Sequence, residues 1–388
     1  MRGNKLFRFI DFYIGILLSF ILYFINNLFF RKQNIIKDKF TNILIIKLSA
    51  LGDTILLIPI LRTLKENYPD SKISFICTTI NINAIKNCSY IDKLILFDIS
   101  GSIKNPIKII NFIFRLYKEK YELVIDFDQW LRISSIISFL SGAKIRIGFN
   151  TEGQYKHLLF TNTIKHNRQA HEIDCFFDLI RPLKINITNK NLEFNIPETG
   201  KLDAETILDE YNINPDDFII LICPGVPEHG WQRQWPIENY AELCNSIKKK
   251  YKCKILAVDT NKFNLQKISE LTSGTVIPLF DLSFITLAGI ISKSNLVICN
   301  NSGIMHLASA IGTTVIALHG PTDYRKWGPY GKNHNIIKSN CECSPCLYLG
   351  FEYKCNTRKC MESITVKEVL TAIDNLIYKF NYSNIIKL

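Results

Sequence analysis

The chain has no Gly-x-x-x-x-Gly-Lys phosphate loop, no Gly-x-Gly-x-x-Gly dinucleotide turn and no His-Glu-x-x-His pair. Those absences remove the common NTPase, dinucleotide-dependent and zinc-hydrolase classes. No low-complexity block or short tandem repeat occurs either, which argues against a disordered tail or a solenoid. Acidic residues are in short supply: 35 Asp and Glu stand against 47 Lys and Arg, a formal net charge of +12. That balance favours an anionic partner, whether nucleic acid, phospholipid headgroups or a phosphorylated substrate, and no nucleic-acid recognition motif accompanies it. What is present is a globular composition, 47% hydrophobic and 21% charged over 388 residues. A chain of that length buries two ordinary cores of roughly 150 to 180 residues more readily than one large one.

The first 40 residues stand apart. From Phe12 to Phe30 the chain reads FYIGILLSFILYFINNLFF without a charge, bracketed by Arg2, Lys5 and Arg8 before it and Arg31, Lys32, Lys37 and Lys39 after it. About 19 residues is the lower end of a spanning helix. Asn26 and Asn27 weaken a span, so a helix crossing the bilayer and one lying in its inner leaflet both fit, with a buried core helix as the bland reading. No small-residue cleavage site follows the run, and the next strand starts almost at once, which argues against a signal peptide.

Of the 12 cysteines, Cys77, Cys88, Cys175, Cys223, Cys244, Cys253 and Cys299 are scattered, several in apolar runs. They read as reduced core residues of a cytosolic protein. The other five crowd into CECSPCLYLGFEYKCNTRKC, where Cys343, Cys346, Cys355 and Cys360 follow a C-x2-C-x8-C-x4-C spacing. A structural zinc, one or two disulfides and plain reduced thiols all remain open there. The later gaps match no common zinc-finger spacing, so zinc is not favoured.

Strand-like and amphipathic runs alternate along the rest of the chain. In the first half strands are expected at Ile43 to Lys47, Ile73 to Cys77, Leu94 to Phe97 and Leu123 to Phe127, with helices from Thr54, about Ile103 and Leu131. This is the rhythm of a parallel α/β sheet. The polar stretch Thr188 to Lys201, with Pro197 and Gly200, breaks the rhythm and reads as a linker. The pattern then restarts with FIILICPG, CKILAV, GTVIPL, NLVICN and TTVIALHG, separated by helices from about Pro236, Ser283 and Ile304. The expected division is 1–40 as a membrane-attaching segment, 41–190 and 200–365 as two α/β domains, and 366–388 as a C-terminal helix. Two such domains would offer the carboxyl ends of their strands to a shared crevice.

Four turns carry candidate chemistry. ILIIKLSALGDTILL places Asp53 just past the first strand, where a carboxylate either caps a helix or acts on a ligand. CPGVPEHGWQRQWP holds Gly225 and Arg233, the latter able to grip a diphosphate in bidentate fashion or simply to lie solvated. CNNSGIMHLASAIG brings Asn301, Ser302, Gly303 and His306 to the start of a small-residue helix, whose free amides suit an anion. A satisfied structural histidine is the ordinary alternative for His306. HGPTDYRKWGPYG, from His319, looks like a closing loop.

The chain resembles glycosyltransferase family 9, the lipopolysaccharide heptosyltransferases. The resemblance rests on ILIIKLSALGDTILLIPILRTLKENYPD, YELVIDFD with SGAKIRIGF, PGVPEHGWQRQWPIENYAEL, LVICNNSGIMHLASAIGTTVIALHGPTD and WGPYG, in the expected order between about Ile43 and Gly331. It implies two Rossmann-like domains facing a central cleft, the glycosyltransferase B-type fold, with acceptor on the first and nucleotide sugar on the second. It further implies an inverting, metal-independent transfer of heptose or a related sugar, from ADP-heptose or a similar donor. The acceptor would be an anionic lipid-linked saccharide at the cytoplasmic face of the inner membrane. The donor is a substrate, and no cofactor or nucleic acid is expected.

By the family pattern Asp53 is the general base. Gly225, Arg233, Asn301, Ser302, Gly303 and His306 belong to the donor site, while the acceptor residues stay unassigned. There are departures. Asn301 stands where the family usually has Asp, and AVDTNKFN, Ala257 to Asn264, replaces a small Gly-containing turn often followed by an acidic residue facing the ribose. These leave one other class open, a non-catalytic relative that binds nucleotide sugar or lipid; the presence of both Asp53 and Arg233 argues against it. His171 also matches a family position without an assignable role.

Overall fold

The computed structural model describes residues 5–29, 37–99, 101, 105–350, 352–353, 355–382 and 385–387. The start of the expected helix near Ile103 and the end of the apolar run at Phe30 lie outside them. The chain divides into two compact units, Met1–Lys190 and Asn191–Leu388.

The first unit opens with helix α1 (Lys5–Phe29), then β1 (Asn42–Ile46), α2 (Leu51–Ile55), α3 (Ile58–Asn67), β2 (Lys72–Cys77), β3 (Lys93–Leu96), α4 (Pro106–Lys118) and β4 (Leu123–Asp126). It continues with α5 (Arg132–Leu140), β5 (Ile145–Asn150), β6 (Asn162–Lys165) and α6 (Glu172–Ile180). All six strands are parallel, in the order β3-β2-β1-β4-β5-β6. The central strands are continuous apolar runs because both faces of a parallel sheet are covered; Ile43 to Ile46 have no exposed surface.

Helix α1 is docked on this unit. Its buried residues Phe7, Asp11, Gly15 and Ser19 recur every fourth position, and it packs against α5 and the turn Lys156–Leu159. Asp11 supplies the tie. Its carboxylate accepts the backbone N–H groups of Arg132 and Ile133, both at 3.0 Å, and pairs with the Arg132 guanidinium at 3.2 Å. The N-cap of α5 is Leu131, which makes no side-chain cap, so Asp11 satisfies helix-end amides that would otherwise be open.

The second unit contains α7 (Glu198–Glu210), β7 (Ile219–Cys223), α8 (Ile237–Lys250), β8 (Lys254–Val258), α9 (Lys262–Leu271), β9 (Ile277–Leu279) and α10 (Phe284–Lys293). There follow β10 (Leu296–Asn300), α11 (Gly303–Ile311), β11 (Thr314–His319), α12 (Tyr324–Trp327), β12 (Asn335–Lys338), α13 (Lys359–Glu362) and α14 (Val366–Lys379). Its sheet is again parallel, in the order β12-β11-β10-β7-β8-β9. Val369, Ala372, Ile373, Leu376 and Ile377 of α14 enter the core of this unit.

The stretch Thr188 to Lys201, expected as a linker, ends in a helix: Pro197 is the N-cap of α7, and Gly200 is a buried packing residue. A Cβ on Gly200 would come within 2.6 Å of the Ile285 carbonyl oxygen, so its missing side chain lets α7 approach α10. Glycine marks close approach here, not a chain break.

Candidate functional site

In the first unit β1 feeds Lys47, and the turn behind it leads into the short helix carrying Asp53. Lys47 has no exposed surface, and its ammonium is surrounded by acceptors. Nζ donates to Gln129 Oε1 at 2.9 Å and the Phe127 carbonyl at 3.3 Å, and lies 3.4 Å from Asp53 Oδ2 and 3.5 Å from Asp128 Oδ1. Gln129 Nε2 donates to Glu172 Oε1 at 2.7 Å and faces Asp53 Oδ2 at 3.4 Å. Glu172 in turn meets His166 Nε2 at 3.1 Å through both oxygens. Asp53 is therefore held by Lys47, just past β1, and by Gln129, past β4.

A second buried cluster backs the first. Asp128 Oδ2 accepts the Leu48 N–H at 2.7 Å, which locks the loop after β4 onto the turn after β1. Asp126 pairs with Lys156 at 3.2 Å and accepts from Ser134 Oγ at 2.7 Å. Burial pushes the Asp126 carboxyl up to about 6; the neighbouring Asp128 adds to that and Lys156 opposes it. Sequence reasoning missed Lys47, Gln129, Glu172 and His166. The available signal was Asp126, Asp128 and Gln129 crowding the end of an apolar strand. His171, left without chemistry, is the N-cap of α6, its Nδ1 accepting the Ile173 N–H at 3.3 Å.

In the second unit the donor-side candidates follow the carboxyl ends of the two central strands, β7 and β10, which are adjacent and parallel. Asn300 ties their ends together: Nδ2 donates to the Pro224 carbonyl at 2.8 Å, and Oδ1 accepts the Trp235 N–H at 3.0 Å. Gly225 lies against the Asp259 carboxylate, where a Cβ would come within 2.4 Å of Oδ1. Asp259, unassigned by sequence, holds its own loop by accepting from Asn261 N at 2.9 Å and Asn264 Nδ2 at 2.7 Å. Asn301 donates its amide to the Trp327 carbonyl at 2.8 Å, a bond the family's usual carboxylate could not make. Ser302 stands at the N-cap position of α11 without a side-chain cap, Gly303 begins the helix and His306 is buried in its first turns. Arg233 closes the 3-10 turn Glu228–Arg233.

The turns after β4, β7 and β10 fall within the span of a family model, which begins past the turn that carries Asp53. The model of glycosyltransferase family 9 (heptosyltransferase) matches residues 109–356. The chain belongs to glycosyltransferase family 9. It is similar to the lipopolysaccharide core heptosyltransferase OpsX of Haemophilus influenzae, 24% identical over 302 residues that cover 76% of this chain and 83% of the relative. Among solved structures it resembles a family 9 glycosyltransferase from Veillonella parvula, with a TM-score of 0.72, 20% identity, and coverage of 89% of this chain and 100% of the other. It also resembles E. coli heptosyltransferase WaaC with ADP, with a TM-score of 0.66, 18% identity, and coverage of 87% and 100%. A more distant neighbour is TibC of enterotoxigenic E. coli, described as an iron-containing dodecameric glycosyltransferase, with a TM-score of 0.55, 9% identity, and coverage of 89% and 78%. The fold of this family 9 glycosyltransferase is thus of the glycosyltransferase B type.

The cysteines sort by environment. Burial pushes the Cys77 and Cys253 thiols up to about 11 and raises Cys223, Cys244 and Cys299 as well, so these are protonated core residues. Of the C-terminal group, Cys360 is raised to about 11 by burial and by the nearby Cys341, Cys346 and Cys343, whereas Cys355 is exposed and points its Sγ at the Thr357 carbonyl, 3.5 Å away. The set gathered about Cys360 thus includes Cys341, which the spacing did not select. Among the described residues the one group that brings three potential metal ligands within 4.8 Å of one another is His166, Glu172 and Cys175, all buried. Their atoms are already engaged, Glu172 with His166 and Gln129, and Cys175 with the Asn167 carbonyl at 3.4 Å.

Proposed function

We propose that this protein transfers heptose or a related sugar, with inversion and without a metal, from a nucleotide diphosphate sugar to a lipopolysaccharide core or similar lipid-linked acceptor. The observation that carries the reading is Asp53, a carboxylate 5% exposed in the short helix α2 that follows β1, held 3.4 Å from both Lys47 and Gln129. In this scheme Asp53 takes the proton of the acceptor hydroxyl while that oxygen bonds to the anomeric carbon. The bond from that carbon to the donor diphosphate breaks on the opposite face, and the nucleoside diphosphate leaves with the electron pair. Lys47 sets a positive charge beside the carboxylate, and Gln129 fixes its orientation. Arg233 and the amides opening α11 take up the charge that grows on the leaving diphosphate.

ADP-heptose is the donor we favour, because WaaC, a structural neighbour, has been solved with ADP and with ADP-2-deoxy-2-fluoro heptose. The acceptor class follows the relatives' names, and the cytoplasmic face of the inner membrane is where such an acceptor and the exposed apolar surface of α1 would meet.

The test is Asp53→Asn. Lys47 keeps Asp128 and Gln129 as partners, so unfolding free energy should change by only about 1 kcal/mol. Transfer from ADP-heptose to a deep-rough lipopolysaccharide acceptor should fall about 100-fold or more, with ADP affinity retained. Transfer at the parental rate would remove Asp53 as the base.

A further inference from the structure

Helix α4 has two apolar faces, and the fold uses one. Phe112 and Leu116 are buried, with the Phe112 ring 4.7 Å from that of Phe97. On the other side Ile107, Ile110, Phe114 and Tyr117 are 64%, 65%, 55% and 62% exposed. Their spacing of three, four and three residues puts them in one stripe. Four large apolar side chains in a row on water are costly unless something covers them. The charges of α4 are Lys108, Arg115 and Lys118, with no acidic residue anywhere on the helix.

The stripe runs into a basic hollow. At the carboxyl end of α4 a cavity of about 440 Å³ is lined by Tyr117, Lys118, Lys120, Lys144, Lys37 and Glu122, among others. Lys37 is paired with Glu122 at 2.9 Å. Lys118, Lys120 and Lys144 enter no ion pair among the described residues, and Lys118 Nζ lies 4.3 Å from the Phe114 ring centroid, joining the charge to the stripe. An apolar face that ends in unneutralised lysines is complementary to an anionic bilayer, with acyl chains for the ring and methyl groups and phosphates for the ammonium groups.

We propose that the exposed face of α4 and the lysine hollow at its end form a second docking surface for an anionic phospholipid bilayer, separate from α1. It deepens the membrane contact assigned to α1 above and rests on that reading. The pairing makes chemical sense for an enzyme whose acceptor is lipid-linked, since two contacts on one unit fix its orientation where a single helix would leave it free to swivel.

The experiment is flotation of the full chain with vesicles of phosphatidylcholine alone or mixed with phosphatidylglycerol, at low and high salt. The variants are Lys118→Gln/Lys120→Gln/Lys144→Gln and Ile110→Ser/Phe114→Ser, all at exposed positions. The lysine variant should bind the anionic vesicles more weakly by roughly fivefold for each charge removed and lose part of its salt dependence, the basic flanks of α1 supplying the rest, while binding neutral vesicles as the parent does. The apolar variant should bind both more weakly. If the parent floats and both variants float with parental affinity, the surface is not a docking site, although the α1 contact survives. If the parent itself floats with neither vesicle, both readings fall.

Discussion

A carboxylate buried against a lysine is an ion pair before it is a base, and three carboxylates surround Lys47 and Lys156. What separates them is access. Asp126 and Asp128 have no exposed surface, and Asp53 alone keeps some. A base must reach a hydroxyl on its substrate, so the two inner carboxylates are fitted to balance the lysines while Asp53 is the one with some access. On the donor side the comparable choice falls on Arg233, half-buried at the end of its 3-10 turn with the guanidinium lying over Gly230. Arg233→Ala should weaken ADP binding by one to two decades, from the roughly 1.5 to 3 kcal/mol typical of a charge-assisted hydrogen bond. Calorimetric titration with ADP measures it, and an unchanged dissociation constant would take Arg233 out of the donor site.

At the scale of elements, α1 is the helix whose character the structure changes most. Read from sequence it is an apolar run with basic flanks, set apart as a membrane-attaching segment. In the fold it reaches α5 through Asp11, whose side chain, like that of Arg132, is almost wholly buried. Asp11→Ala would leave two helix-end amides open and Arg132 charged and unpaired by its carboxylate. Breaking such a buried pair costs about 3 to 5 kcal/mol, which urea unfolding would show. Asp11→Asn, which keeps an acceptor for the amides, should recover part of the loss; a change under about 1 kcal/mol in the alanine variant would show that α1 is only loosely attached. The same tie predicts that a chain begun at Lys37 is less stable than its sequence implies.

Asp11 was legible only as a residue beside the apolar run, because a tertiary cap has no local signature: its partners lie 121 and 122 positions away. The central strands were legible for the opposite reason, being unbroken Ile, Leu and Val runs of the kind a parallel sheet buries on both faces. Strand β6, only Asn162 to Lys165 and with Ile164 its one apolar residue, carries no such run. Asp53 could be found from its place after β1, whereas Gln129 and Glu172, 76 and 43 positions from their partners in the network, could not.

For the whole molecule, stability against pH reads out opposing carboxylates. Glu122 accepts the Thr41 N–H and pairs with Lys37, which together hold it down to about 2 from an ordinary 4.5. A lowered carboxyl binds fewer protons folded than unfolded, so its stabilisation is complete above about pH 4.5 and is lost as pH falls toward 2. Asp126 has the reverse sign. Raised by burial to about 6 from an ordinary 3.8, it binds more protons folded than unfolded, and stability declines as pH rises through that interval. Asp126→Asn mimics the protonated form and keeps an acceptor for Ser134. Its unfolding free energy should therefore gain on that of the parent between about pH 4 and about pH 7, whatever the offset between the two proteins at the acid end. Urea unfolding of both at the two pH values gives the difference directly. If the variant instead loses ground as pH rises, Lys156 holds the Asp126 carboxylate ionised more strongly than burial opposes it, and the inner cluster is a net source of stability at neutral pH.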